Sequence, residues 1–114
     1  MAIKLLITGG TFDKDYDELT GKLYFRDTHI HEMLKLGRCR LQTRVRTVMM
    51  VDSLEMTESD RKIIEEICRK SEEEQIVITH GTDTMEETAR VLGAVGLPKT
   101  IVLTGAMIPY AFGS

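Results

Sequence analysis

The chain is poor in the residues that announce specialised folds. It has no tryptophan, two prolines and two cysteines, and aromatic residues make up only 5% of it. The two cysteines, Cys39 and Cys68, are too few for a disulfide framework and lack metal-ligand spacing. Both read as reduced packing or surface thiols, which suits a cytoplasmic protein. Charge of either sign is not in excess. The net charge is −3, with acids and bases mixed along the chain, so no nucleic-acid footprint is present. The acidic run at 71–74 reads as a solvated helix end. No apolar run is long enough to cross a membrane. Near the N-terminus, Lys4 interrupts an apolar stretch far too short for a secretion signal. No repeat, linker or low-complexity segment is visible. What remains is ordinary: 114 residues, 42% of them hydrophobic, which suits one small globular domain spanning 1–114.

The most informative stretch is 76–92, IVITHGTDTMEETARVL. Ile76, Val77, Ile78 and Thr79 form a short β-branched run that reads as a buried strand. His80, Gly81, Thr82 and Asp83 make a polar turn. Thr84 then stands as an N-cap, with Glu87 at capping-box spacing. Met85, Thr88, Ala89 and Leu92 recur at helical spacing and give the helix its inward face. Thr82 and Asp83 therefore sit where a strand ends and a helix begins, the place where ligands bind in open α/β sheets. A second apolar run, 3–7, ends in Thr8-Gly9-Gly10-Thr11, whose glycines permit a tight turn and close backbone approach.

Together the words TGGT at 8–11, HGTDTMEETA at 80–89 and TGAM at 104–107 resemble the L-asparaginase family, the kind built on two threonine-centred triads. The resemblance runs the length of this sequence but matches only the front part of the usual family protein.

Along the rest of the chain, strands alternate with helices. Strand one is 2–7, nearly continuous in apolar residues, as a strand covered on both faces should be. The polar stretch 12–25 lacks helical periodicity and reads as a mobile lid, or as a short hairpin with Leu23, Tyr24 and Phe25 in one arm. Thr28 opens a short helix with Ile30, Met33, Leu34 and Leu36 inward, and Gly37 ends it. Strand two, 41–51, alternates in its first half, which marks an edge strand. Thr57 and Asp60 open a helix with Ile63, Ile64, Ile67 and Cys68 inward. Strand three is 76–79 and strand four 100–103. The pattern is that of an α/β fold with an open, mostly parallel sheet and flanking helices. The resemblance adds a flavodoxin/Rossmann-like three-layer order with strands one and three adjacent, which brings Thr11 and Thr82 to one crevice.

The resemblance also assigns roles. Thr11 matches the family nucleophile, which attacks a side-chain amide carbon and forms an acyl-enzyme. By itself Thr11 is a turn residue, and a threonine hydroxyl needs a base within reach. Thr82 and Asp83 match the second triad; Asp83 would hold the substrate's α-ammonium, a carboxylate's natural partner. Ser53 matches a position that binds the α-carboxylate, and reads equally as a helix-entry serine. Gly10 and Gly81 would bring backbone N–H groups to the ligand. A loop tyrosine completes the first triad in the family; spacing from Thr11 points to Tyr24, with Tyr16 as the other candidate. His29 and His31 do not share a helix face, and His80 reads as a hydrogen-bonded structural residue. No metal and no cofactor is implied.

Departures from the family matter. The lysine that serves the second triad lies on a strand after TGAM, and this sequence ends at Ser114 before one; Lys99 is on the wrong side of strand four. Ile108-Pro109 stands where many members have Arg-Pro. The second domain of larger members, which contributes an acid across a dimer interface, is absent. Two readings follow. One is an asparaginase-type amidohydrolase domain converting L-asparagine to L-aspartate and ammonia, truncated or short, and homo-oligomeric as its relatives are. The other is an impaired relative that binds a small amino acid or forms part of an amidotransferase assembly.

Overall fold

The computed structural model describes residues 2–17, 19–25 and 28–110, without the side chains of Asp17 and Tyr24. Four strands form one parallel sheet: β1 (Ile3–Gly9), β4 (Thr43–Val51), β5 (Gln75–Thr79) and β6 (Thr100–Thr104). Their spatial order is β4-β1-β5-β6, so strands one and three of the sequence are neighbours and β4 is an edge. Between them come a two-stranded antiparallel hairpin, β2 (Lys14–Asp17) with β3 (Lys22–Phe25), and three helices: α1 (Ile30–Leu36), α2 (Glu58–Lys70) and α3 (Met85–Val95). The α/β architecture expected from the alternating pattern is the one observed.

Strand alternation distributes the core over two faces of the sheet. Leu6, Ile76 and Ile78 pack with Ile64, Cys68 and Leu92 of α2 and α3. Leu5, Ile7 and Val77 pack on the other face with Ile30 and Leu34 of α1. This is why Leu5, Leu6 and Ile7 of β1 are apolar in succession: neighbouring side chains enter the cores on alternate faces of the sheet. Cys68 is fully buried, and burial pushes its thiol up to about 11, while Cys39 is exposed.

Three helix faces differ from the expected ones. On α2 the inward positions are Arg61, Ile64 and Cys68, while Ile63 is 48% exposed. On α3 Thr88 and Leu92 are buried but Ala89 is exposed. On α1 only Ile30 is fully buried, and Leu36 is 74% exposed and Met33 turns outward. The stripe is rotated toward polar residues that find partners inside. We therefore expect Ile64→Ala to lower unfolding free energy by about 2–5 kcal/mol, as buried isoleucine truncations do. Ile63→Ala should stay within about 0.5 kcal/mol of the parent. Urea denaturation of both variants checks the assignment.

Capping also departs from expectation. The Thr84/Glu87 box does not form; no side chain caps α3 at Thr84. A complete box instead starts α2, with Thr57 Oγ1 accepting from the Asp60 amide and Asp60 accepting from the Thr57 amide. Thr84 is engaged elsewhere, as described below.

Within the stretch 12–25 a 3-10 turn at Thr11–Asp13 leads into the hairpin, Lys14–Asp17 paired with Lys22–Phe25. Residue 18, within the stretch read as a lid, lies outside the described residues. The hairpin is tied down at its base. Asp13 is fully buried, and its carboxylate accepts hydrogen bonds from Thr28 Oγ1 at 3.0 Å and the His29 amide at 2.7 Å. Asp15 meets His29 at 3.1 Å. Lys14 bonds Asp52 at 2.7 Å and lies 5.5 Å from the centre of the Phe25 ring.

Candidate active site

Parallel strands all deliver their carboxyl ends to one side of a sheet, and three loops meet there. Backbone bonds carry the sheet beyond the strand ends: Gly10 N–H donates to Val51 O at 3.1 Å, and His80 N–H donates to Thr104 O at 2.9 Å. These bonds fix where the TGGT and HGTD loops leave the sheet. The loops then touch. A methyl group on Gly10, whose φ is 87°, would lie 2.7 Å from the Gly81 nitrogen. One on Gly81 would lie 2.5 Å from Ser53 Oγ. Only hydrogen fits at either position, so the backbones of all three loops stack in direct contact.

Thr11 directly follows Gly10, and Thr82 directly follows Gly81. Both hydroxyl-bearing residues therefore stand beside the same point of contact. Thr11 opens the 3-10 turn and is half-buried; its hydroxyl makes no hydrogen bond among the described residues. Thr82 is exposed, and its hydroxyl approaches Met107 Sδ at 3.5 Å, so the TGAM word also reaches the site. Asp83 is exposed and has no ion pair among the described residues. Ser53 is 1% exposed, and its hydroxyl is buried without a hydrogen-bond partner among the described residues. The turn it opens is capped by Asp52, whose carboxylate accepts from the Leu54 amide. The Lys14 ammonium beside Asp52 holds that carboxyl below its ordinary range, against the opposing effect of burial.

The tyrosines divide differently. Tyr24 stands opposite Asp15 in the hairpin, and its side chain lies outside the described residues. Tyr16, on the partner strand opposite Leu23, is 49% exposed. Lys99 is held at the amino end of β6, where its ammonium bonds Ser71 O, remote from the loops. Among the described residues no cluster of three or more His, Cys, Asp or Glu side chains can hold a metal ion. Nor is any helix there long and apolar enough to cross a membrane.

Behind the loops lies a buried polar group that helical periodicity did not reveal. Arg61 is 5% exposed. Its Nε donates to Thr88 Oγ1 and its Nη2 to Thr84 Oγ1, both at 2.9 Å, and its Nη1 reaches Met56 O at 3.4 Å. Glu87 approaches the same guanidinium at 3.4 Å. The Thr84 hydroxyl donates to Ser53 O at 2.8 Å, which is why it does not cap α3. His80 joins from the other side. Its Nδ1 lies 2.7 Å from Gly81 O, which can only accept, so Nδ1 carries the proton. Nε2 then accepts from Thr88 Oγ1 at 2.7 Å. Burial lowers the pKa of His80 against the opposing effect of the Gly81 hydrogen bond, and the Arg61 charge lowers it further, which favours the neutral ring. His80 is thus the hydrogen-bonded residue expected from the sequence.

The arrangement supplies two threonine hydroxyls, a carboxylate and a buried serine hydroxyl at one end of the sheet. Comparison with known proteins agrees with it. A family model described as "Asparaginase, N-terminal" matches residues 2–114. The thermostable L-asparaginase from Thermococcus kodakarensis superimposes with a TM-score of 0.81 at 30% identity, covering 96% of this chain and 35% of that one. L-asparaginase I from Vibrio cholerae gives 0.78 at 26% identity, again over 96% and 35%. A probable cytoplasmic L-asparaginase from Campylobacter jejuni gives 0.73 at 31%, over 94% and 35%. A glutaminase-asparaginase from Acinetobacter glutaminasificans is 49% identical over 47 residues, 40% of this chain and 14% of that protein. The chain spans about a third of the length of these solved structures. By a family match along nearly its whole length, and by a fold that superimposes on solved L-asparaginases, the chain belongs to the asparaginase family and corresponds to its N-terminal part.

Proposed function

We propose that this domain carries the substrate end of an asparaginase-type amidohydrolase acting on the side-chain amide of L-asparagine. The observation that supports it most is the close contact of the Gly10, Gly81 and Ser53 loops, the loops to which Thr11, Thr82 and Asp83 belong. In this reading Thr11 Oγ attacks the amide carbon, its proton passes to the leaving nitrogen, and ammonia departs. Water then opens the resulting ester, releasing L-aspartate and restoring the Thr11 hydroxyl. Thr82 helps activate the attacking group. Asp83 holds the α-ammonium, the turn opened by Ser53 receives the α-carboxylate, and the Gly10 and Gly81 loops offer backbone N–H groups. Tyr24, or Tyr16 in its place, serves Thr11 from the hairpin. The protein works in the cytoplasm, without a cofactor.

One observation favours a second reading, that the chain binds a small amino acid and turns it over poorly. The described neighbour of the Thr82 hydroxyl is a methionine sulfur, which is no base. A positioned general base contributes typically ~10²–10⁴-fold in rate. We therefore expect the 114-residue chain to release ammonia from L-asparagine very slowly. A coupled ammonia assay decides between the readings: robust turnover would mean that a base is present after all.

We also propose self-association. Leu36, Leu41, Val102 and Met107 each lie at least half exposed, and a domain this small gains by covering such side chains. Light scattering should show a dimer or larger species; a strict monomer at high concentration would contradict this.

A further inference from the structure

We propose that Arg61 is a positioning residue that sets the distance between the two polar ends of the candidate site. The inference rests on the reading above, in which the turn opened by Ser53 receives a ligand's carboxylate and Asp83 its ammonium. Two loops present those groups, and both are tied to the same guanidinium. Toward the first loop, Arg61 holds Met56 O directly and Ser53 O through the Thr84 hydroxyl. Toward the second, it holds Thr88 Oγ1, which bonds His80, which bonds Gly81 O. The Gly81 carbonyl belongs to the same planar peptide as the Thr82 amide, so fixing one orients the other. A planar fork with donors in fixed directions can do this; an ammonium cannot. None of these contacts lies among the groups that would touch a ligand. Arg61 is buried at the cost of its hydration, and it recovers that cost only through a nearly full set of partners.

The connection makes Thr84 a selective handle. Thr84→Val cuts the link to Ser53 O at its Arg61 end as well, removing the acceptor of Nη2, while Thr88, Met56 O and Glu87 still hold the guanidinium. Thr84→Ser keeps the hydroxyl and loses only a methyl. Arg61→Lys keeps the charge and loses the fork. The test uses the ¹⁵N-labelled 114-residue chain and two readouts: L-aspartate affinity from amide shifts, and hydrogen exchange at Glu55, Met56, Glu87 and Thr88. The first two amides close the turn that Ser53 opens, and the other two close the first turn of α3 directly after the second loop. We expect Thr84→Val and Arg61→Lys each to weaken L-aspartate on the order of tenfold, the loss that follows when one charge-assisted hydrogen bond to the ligand is misplaced. Exchange should quicken in both loops together, and Thr84→Ser should behave as the parent. Equal affinity and exchange in Thr84→Val and Thr84→Ser would overturn the proposal. If the parent chain binds no L-aspartate, the functional reading fails, and the exchange comparison still decides whether Arg61 couples the loops. If Arg61→Lys does not fold, the Thr84 pair decides it.

Discussion

Replacing Gly81 by alanine should abolish ligand binding and lower the thermal midpoint of the chain. The added methyl would lie 2.5 Å from Ser53 Oγ, 2.6 Å from Ser53 Cβ and 3.1 Å from the Ser53 nitrogen. A long side chain could swing aside, but these neighbours are backbone and a one-carbon stem. Ser53 is fully buried and cannot retreat. Its turn is fixed from behind by Asp52 and by the Thr84 hydroxyl on its carbonyl. The loops must therefore separate. Overpacking of this kind typically costs about 1–3 kcal/mol, a visible loss in a domain of marginal stability. The effect on the site should be larger than the effect on the fold. Separation moves Ser53 away from Thr82 and Asp83, and it breaks the contact between Gly81 and Gly10 that places Thr11. Calorimetry and an L-aspartate titration of the same sample measure both effects. A Gly81→Ala variant with parental affinity would show that the three loops do not form one site.

The parts of this fold legible in the sequence are those fixed by local pattern or by the strand-end rule. The runs at 3–7 and 76–79 are apolar but for Lys4 and Thr79 because β1 and β5 are central strands with a core on each face. The alternation at 43–46 marks β4 as an edge for the opposite reason. Thr11, Ser53, Thr82 and Asp83 each follow the carboxyl end of a parallel strand, so one topology brings them to one side of the sheet. Strand order itself came only from resemblance, because a parallel crossover leaves no trace in residue periodicity.

What the sequence hid were contacts between residues far apart. Arg61 occupies an inward position of α2 because Thr84 and Thr88, on another helix, satisfy its donors. A hydrophobic stripe cannot reveal a buried arginine, so Ile63 was set inward in its stead. Thr84 has the composition of an N-cap, yet a tertiary acceptor, Ser53 O, claims its hydroxyl. Thr57 has no such competitor and forms the box its sequence spells. The Lys14–Asp52 pair joins residues 38 apart and anchors the hairpin to the Ser53 turn. The polarity of 12–25 announced an irregular segment, but not the buried Asp13 that roots it.

Asp83→Ala and Thr11→Ala should separate binding from chemistry. Asp83 is exposed and has no partner ion among the described residues, so its carboxylate is available to an ammonium. A hydrogen bond to a charged group contributes about 1.5–3 kcal/mol, and solvent exposure places this one at the lower end. That is roughly a tenfold loss of affinity. A site so open to water binds an amino acid only weakly, on the order of millimolar, which corresponds to about 4 kcal/mol in all. A tenfold loss from there removes measurable binding of L-aspartate. Thr11 has a different task. In the proposed reaction its oxygen forms a bond only once the amide carbon is attacked, so its hydroxyl contributes little to holding the ground state. Thr11→Ala should therefore keep L-aspartate affinity within about a factor of two or three and eliminate whatever ammonia release the parent shows. Isothermal titration and the coupled ammonia assay, run on the two variants and the parent, give the four comparisons needed. Unchanged affinity in Asp83→Ala would mean that the ammonium is recognised elsewhere. A loss of affinity in Thr11→Ala equal to that in Asp83→Ala would mean that Thr11 holds the ligand rather than attacks it, and the nucleophile would have to be sought at Thr82.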